Sequence, residues 1–128
     1  MSAPTRRRKA GAYLSIYTTT LLGELAVLSL EAGGAYIRLL CCYWERKTAL
    51  PDDDKVLAQL SGAGGRWKRI RPELAHLFEI GAGTWRHSHV DHEIAYFAHT
   101  SATQRAKVQG RWDRARAAAL REAAGASR

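Results

Sequence analysis

The chain is poor in the residues that staple or interrupt a fold. Its 128 residues include two cysteines, three prolines, two phenylalanines and one methionine. Cys41 and Cys42 are adjacent, so they form no ordinary structural bridge with each other, and a reducing cytoplasmic setting is the expectation. No run approaches the roughly 20 apolar residues that cross a bilayer, so no membrane partner is expected. Behind Arg6, Arg7, Arg8 and Lys9 there is no clear apolar signal core with a small-residue cleavage site, which makes a poor secretory signal. Gly62-Ala63-Gly64-Gly65 lacks both a preceding strand and a following lysine-serine pair, so it is no nucleotide loop. No serine, cysteine or threonine stands in a defensible pairing with a base, and no enzyme activity is expected. His87-Ser88-His89-Val90-Asp91-His92 brings metal-capable side chains together, but no third or fourth ligand follows at a familiar spacing. The expectation is therefore no metal and no cofactor.

What the chain has in quantity is positive charge. Twenty basic side chains oppose twelve acidic ones, a net charge of +8, and 46% of the residues are hydrophobic, as in an ordinary globular domain. The charge is unevenly placed. Residues 1–9 carry four basic side chains and no acidic one, and residues 105–128 carry seven and two. The stretch between has nine basic and ten acidic, yet four of its nine, Arg66, Lys68, Arg69 and Arg71, lie within six residues. Basic arms around a basic helix suit a polyanion, through release of condensed counterions.

The organising stretch is Leu50–His87. Asp52, Asp53 and Asp54 follow Pro51, and one of them caps a helix whose Val56, Leu57 and Leu60 recur at helical spacing. Ser61-Gly62-Ala63-Gly64-Gly65 ends it in a turn that glycine allows. A second helix places Trp67, Ile70, Leu74 and Leu77 inward, with Arg66, Arg69, Glu73 and His76 outward. Pro72 removes one backbone donor from that helix and predicts a bend or two pieces. The predicted helices cover 52–61 and 66–78. A hairpin follows, 78–80 antiparallel to 84–88 around Gly81-Ala82-Gly83.

Other segments read more simply. Residues 1–11 form a basic flexible arm. Tyr13–Tyr17 reads as a short strand pairing with the hairpin, and Thr20 as the cap of a helix over Leu21, Leu22 and Leu25. Ser29, with Glu31 in the first turn, caps a central helix through Ala35–Trp44, where Arg38 is the only charge and Cys41 and Cys42 are small buried hydrophobes. From Asp91 a last helix packs back through Ile94 and Phe97, and its alanine- and arginine-rich continuation carries Trp112.

Several pieces occur together in order: Leu28-Ser29, Gly34-Ala35-Tyr36, Leu39-Leu40, Tyr43-Trp44, Leu50-Pro51-Asp52-Asp53-Asp54, Trp67, Ile70-Arg71-Pro72, Phe78 and Trp85-Arg86-His87. In this order the chain resembles the YdaU-like phage and prophage family, a domain of unknown function, over about Tyr13 to Glu93. The resemblance implies a winged-helix module without enzyme activity, encoded among phage replication genes.

The expected fold is therefore mainly α with a small β-hairpin (α+β), a winged helix-turn-helix over 12–99 with a basic arm at 1–11 and a basic helical extension at 100–128. The expected function is binding of double-stranded DNA in replication initiation. Arg66, Lys68, Arg69 and Arg71 would meet the duplex, with Arg86 on the wing. Arg6, Arg7, Arg8 and Lys9 in one arm, and Arg105, Lys107, Arg111 and Arg114 in the other, would touch phosphates. Two alternatives stand beside it: a non-enzymatic adaptor that docks a helicase, a loader or a host defence component, and a transcriptional autoregulator.

Overall fold

The computed structural model describes residues 13–126. Five helices and three short strands succeed one another: α1 (Thr18–Ala26), α2 (Leu30–Arg46), β1 (Leu50–Pro51), α3 (Asp54–Leu60), α4 (Trp67–Ala75), β2 (Glu79–Gly81), β3 (Thr84–Arg86) and α5 (Ser88–Ala126). A 3-10 turn, Gly64–Arg66, leads into α4. The basic arm expected at 1–11, with Arg6, Arg7, Arg8 and Lys9, lies outside the described residues.

The core is built on α2. Its Ala32, Ala35, Tyr36, Leu39, Leu40, Tyr43 and Trp44 are buried, and Leu57 of α3, Trp67, Ile70 and Leu74 of α4, Trp85 of β3 and Val90 of α5 close around them. Ser29 starts α2 as expected, its hydroxyl accepting the Ala32 amide at 3.2 Å. Lys47 ends it in the left-handed conformation. Helical spacing sends Ile37 and Cys41 outward, so Cys41 is exposed and Cys42 half-buried. The expectation that both cysteines are buried is corrected: the inward stripe takes 35/36, 39/40 and 43/44, and at about 100° per residue Cys41 falls on the opposite side of the helix and Cys42 at the flank.

The sheet departs further from the sequence reading. Its order is β1-β3-β2, antiparallel throughout, with Leu50 opposite Trp85 and Ile80 opposite Trp85 on the other side. The third strand is thus Leu50–Pro51, in the link ahead of the aspartates. Tyr13–Tyr17 forms no strand. It lies against the start of α5 instead, where the Ser15 carbonyl meets His89 Nε2 at 2.6 Å and the Tyr17 ring lies 6.2 Å from that of His89. Pro51 belongs in an edge strand because it has no amide to donate. The helix expected over Leu21, Leu22 and Leu25 is present, but it begins at Thr18 and Thr20 does not cap it.

The hairpin pairs 79–81 with 84–86, slightly shorter than expected. Ala82 and Gly83 make the turn with φ of 52° and 75°, the mirror-image form that matches the twist of paired strands. Helix α4 runs from Trp67 to Ala75, with Pro72 inside it.

Candidate nucleic-acid interface

The α3–turn–α4 unit is set by its caps and by two tryptophans. Of the three aspartates, Asp53 is the cap: its carboxylate accepts the Lys55 and Val56 amides at 2.9 and 3.3 Å. Its neighbours do something the sequence reading missed. Asp54 accepts the Trp67 indole N–H at 2.9 Å, and Asp52 accepts that of Trp85 at 2.8 Å. Both indoles are buried, so each needs such a partner. The Trp67 indole, and then the Arg71 guanidinium, hold the Asp54 carboxyl below the usual carboxylate range. The alternation Asp52/Asp54 ahead of Trp67 and Arg71, one helical turn apart, was the available signal.

Arg71 completes this clamp. Its guanidinium lies 2.5 Å from Asp54 and 3.5 Å from Asp52, and 5.2 Å from the Trp85 ring. Its side chain is 32% exposed. Of the four cations expected at the duplex, Arg71 is therefore committed to tying α4 to the sheet. Arg66, Lys68 and Arg69 are exposed. Arg66 and Arg69 both reach Glu31 at the start of α2, at 3.3 and 2.6 Å. Glu73, expected on the same outward face, turns to α2 as well, where the Ser29 amide and hydroxyl donate to its carboxylate at 2.8 and 2.9 Å. Those bonds, the amide first, hold the Glu73 carboxyl low. The outermost line of α4 is thus Lys68, Arg69, Pro72 and His76, all exposed.

Arg38 is a further cation beside this face that sequence reading passed over. It is exposed on α2, and a side-chain carbon at Gly62 would overlap its guanidinium. Gly62 has φ of +74°, and that left-handed backbone, not the movable Arg38 side chain, is what requires glycine in the turn. Arg38 and Arg66 flank a groove of about 190 Å³ that Leu30, Gly34, Gly62 and Ile70 also line.

The hairpin brings less charge than expected. Its tip is Ala82-Gly83, while Arg86 sits at the opposite end of β3, 3.6 Å from Asp91 of α5. Arg105, Lys107, Arg111 and Arg114 all lie on α5, well past its last core contacts, and are exposed.

The histidines separate. His87 precedes α5, and its Nδ1 accepts the Val90 amide at 3.4 Å, so the ring proton resides on Nε2. That Nε2 meets the Tyr36 hydroxyl at 2.8 Å, and Tyr36 donates in turn to Glu24 of α1. Burial pushes the His87 pKa down and the Tyr36 pKa up, and Glu24 raises Tyr36 further. In parallel, Tyr43 donates to Asp91; burial and that bond push its pKa up to about 12. These chains strap α1 and α5 onto α2. Beside them is a cavity of about 100 Å³ lined by Tyr17, Leu21, Glu24 and His89, among others. Among the described residues no group of three metal-capable side chains comes together, and no helix is long and apolar enough to cross a membrane.

The geometry defines a small helical domain with a three-stranded antiparallel sheet and an outward-facing, charged helix α4. The family model for "Protein of unknown function (DUF1376)" matches residues 12–95, and the chain belongs to that family. It is 28% identical over 107 residues to the "Uncharacterized protein YdaU" of Escherichia coli (strain K12), an alignment covering 80% of this chain and 37% of that protein. The chain thus spans little more than a third of the length of this relative. No solved structure matches it.

Proposed function

We propose that the chain is a duplex-DNA-binding module of the winged helix-turn-helix type, with α4 as the helix that enters the major groove. The observation that carries this reading is the order of elements. Helix α2, strand β1, helices α3 and α4, then the β2–β3 hairpin, with the sheet ordered β1-β3-β2, is the sequence of parts in a winged helix. In that arrangement the second helix of the motif turns its solvent side to DNA. Here that side offers Lys68, Arg69 and His76, with Arg66 and Arg38 at its edge. Binding is non-enzymatic in this reading. A place in replication initiation in a phage or prophage is supplied by the family resemblance alone.

A second reading has its own support. Arg66 and Arg69 share Glu31, and Arg71 is held by Asp52 and Asp54, so Lys68 is the one cation of the helix without an ion-pair partner among the described residues. A face compensated in this way also suits docking to a protein, as an adaptor. The test is fluorescence anisotropy of the full chain on a labelled duplex, comparing Lys68→Ala/Arg69→Ala with Arg46→Ala/Lys55→Ala. Both pairs remove two exposed charges, but the second lies off α4. Weaker binding by the first pair alone supports the DNA reading. Equal losses mean diffuse electrostatics, and no binding by the parent leaves the adaptor.

A further inference from the structure

The long helix α5 carries a charged face unlike that of α4. Beyond Ser101, every side chain through Gly125 is exposed apart from Gly110, which is half-exposed. At about 100° per residue, Lys107, Arg111, Arg114 and Arg121 fall within an arc of about 80°. None of the four has an ion-pair partner among the described residues. Asp113 points about 120° from the middle of that arc and accepts from Gln109 at 3.0 Å. Gly110, lacking a side chain, opens a shallow recess between Lys107, Arg111 and Arg114.

The direction of α5 fixes where this face lies. His87 sits beside Tyr36, Asp91 beside Tyr43, and Phe97 packs edge-on against Trp44. Helix α5 therefore runs in the same sense as α2 and continues past its end, away from Glu31, Arg66 and Arg69. With a rise of about 1.5 Å per residue, Glu31 to Trp44 is about 20 Å, and Phe97 to Arg111 is about another 20 Å. With the two axes taken as parallel, these lengths sum to about 40 Å between the two basic faces, comparable to one turn of duplex at roughly 35 Å.

We propose that the Lys107–Arg111–Arg114 face of α5 is a second contact to the phosphate backbone, about one helical turn from the contact made by α4. The proposal rests on the DNA reading of α4. It names duplex phosphate because the large apolar side chains of this segment, Val108, Trp112 and Leu120, project to other sides. They lie about 100–140° from the middle of the basic arc. A protein-docking face would set large anchors among its charges.

The experiment measures affinity of the full chain for duplexes of about 10 and about 20 base pairs, for the parent and for Lys107→Ala/Arg111→Ala/Arg114→Ala. Alanine keeps the helix, which circular dichroism checks. The parent is expected to gain markedly from the longer duplex, and the variant to lose that gain. Three phosphate contacts also carry a salt slope: between about 50 and about 200 mM salt, the variant should lose affinity roughly 40-fold less than the parent. Arg116→Ala, about 180° from Lys107 on the other side of α5, should keep most of the gain. A parent that gains nothing from the longer duplex, or a triple variant that retains the gain, overturns the proposal and leaves α4 as the sole contact. A variant that weakens equally on both lengths also overturns it, in favour of diffuse attraction. A parent that binds neither duplex removes the α4 reading itself.

Discussion

Glu31 is the residue whose removal says most about α4. It holds Arg66 at 3.3 Å and Arg69 at 2.6 Å, with the arginine side chains 67% and 69% exposed and its own 45% exposed. Exposed pairs of this kind are worth about 0.2–1 kcal/mol each, and screening puts these in the lower half of that range. Turning both guanidiniums toward phosphates therefore forfeits about 1 kcal/mol in the parent. Glu31→Gln removes that competition, and DNA affinity should rise about fivefold. Stability should move the opposite way, because Glu31 also sits in the first turn of α2, where a carboxylate contributes about 0.3–1 kcal/mol through the helix dipole. Anisotropy titrations on one labelled duplex, paired with thermal melts, read both signs. Glu45→Gln, an equal charge change at the far end of α2, controls for net charge. If Glu31→Gln binds no tighter than Glu45→Gln, then Arg66 and Arg69 are not the contacts and the competition argument fails.

Other expectations follow from the packing. His87 is held neutral, with its pKa below the ordinary 6.5, chiefly by burial. The unfolded chain then binds the proton more readily, so the stability contributed is complete above about pH 6.5 and is lost as pH falls toward the folded value. Melting temperatures across that window should decline, and His87→Asn should flatten the decline; an unchanged slope would refute the assignment. Arg71→Ala should lower stability by about 1–2 kcal/mol through its lost contacts to Trp85 and its stem packing, whereas Lys68→Ala should leave the melting temperature nearly unchanged. Equal shifts in the two melts would mean that Arg71 is no clamp. Ala82 holds φ of 52° without being glycine, so Ala82→Asn, which makes the preferred Asn-Gly turn, should stabilise by about 0.5–1 kcal/mol in chemical denaturation.

The sequence alone determined whatever depends on neighbours a few residues away. Apolar spacing placed α2, α3 and α4, Ser29 and the aspartates marked helix starts, and glycines marked the turn and the hairpin, because caps and periodic faces are written within one or two turns of chain. The outcome was decided by tertiary contact wherever a partner lies far along the chain. Two residues, Leu50 and Pro51, are too few for any period to show, and they become a strand only because Trp85 and Thr84 lie alongside. Tyr13–Tyr17 has strand-forming residues but pairs with none of the three strands, and its Ser15 carbonyl and Tyr17 ring meet His89 of α5 instead. The charge of α4 is the clearest case. Four cations in six residues read as a basic surface, and α2 and the aspartates return three carboxylates, Glu31, Asp52 and Asp54, to it from 17 to 38 residues away. Coulomb energy depends on separation in space and not along the chain. A count of charges in sequence therefore cannot tell a partly compensated face, such as that of α4, from the unpaired one on α5.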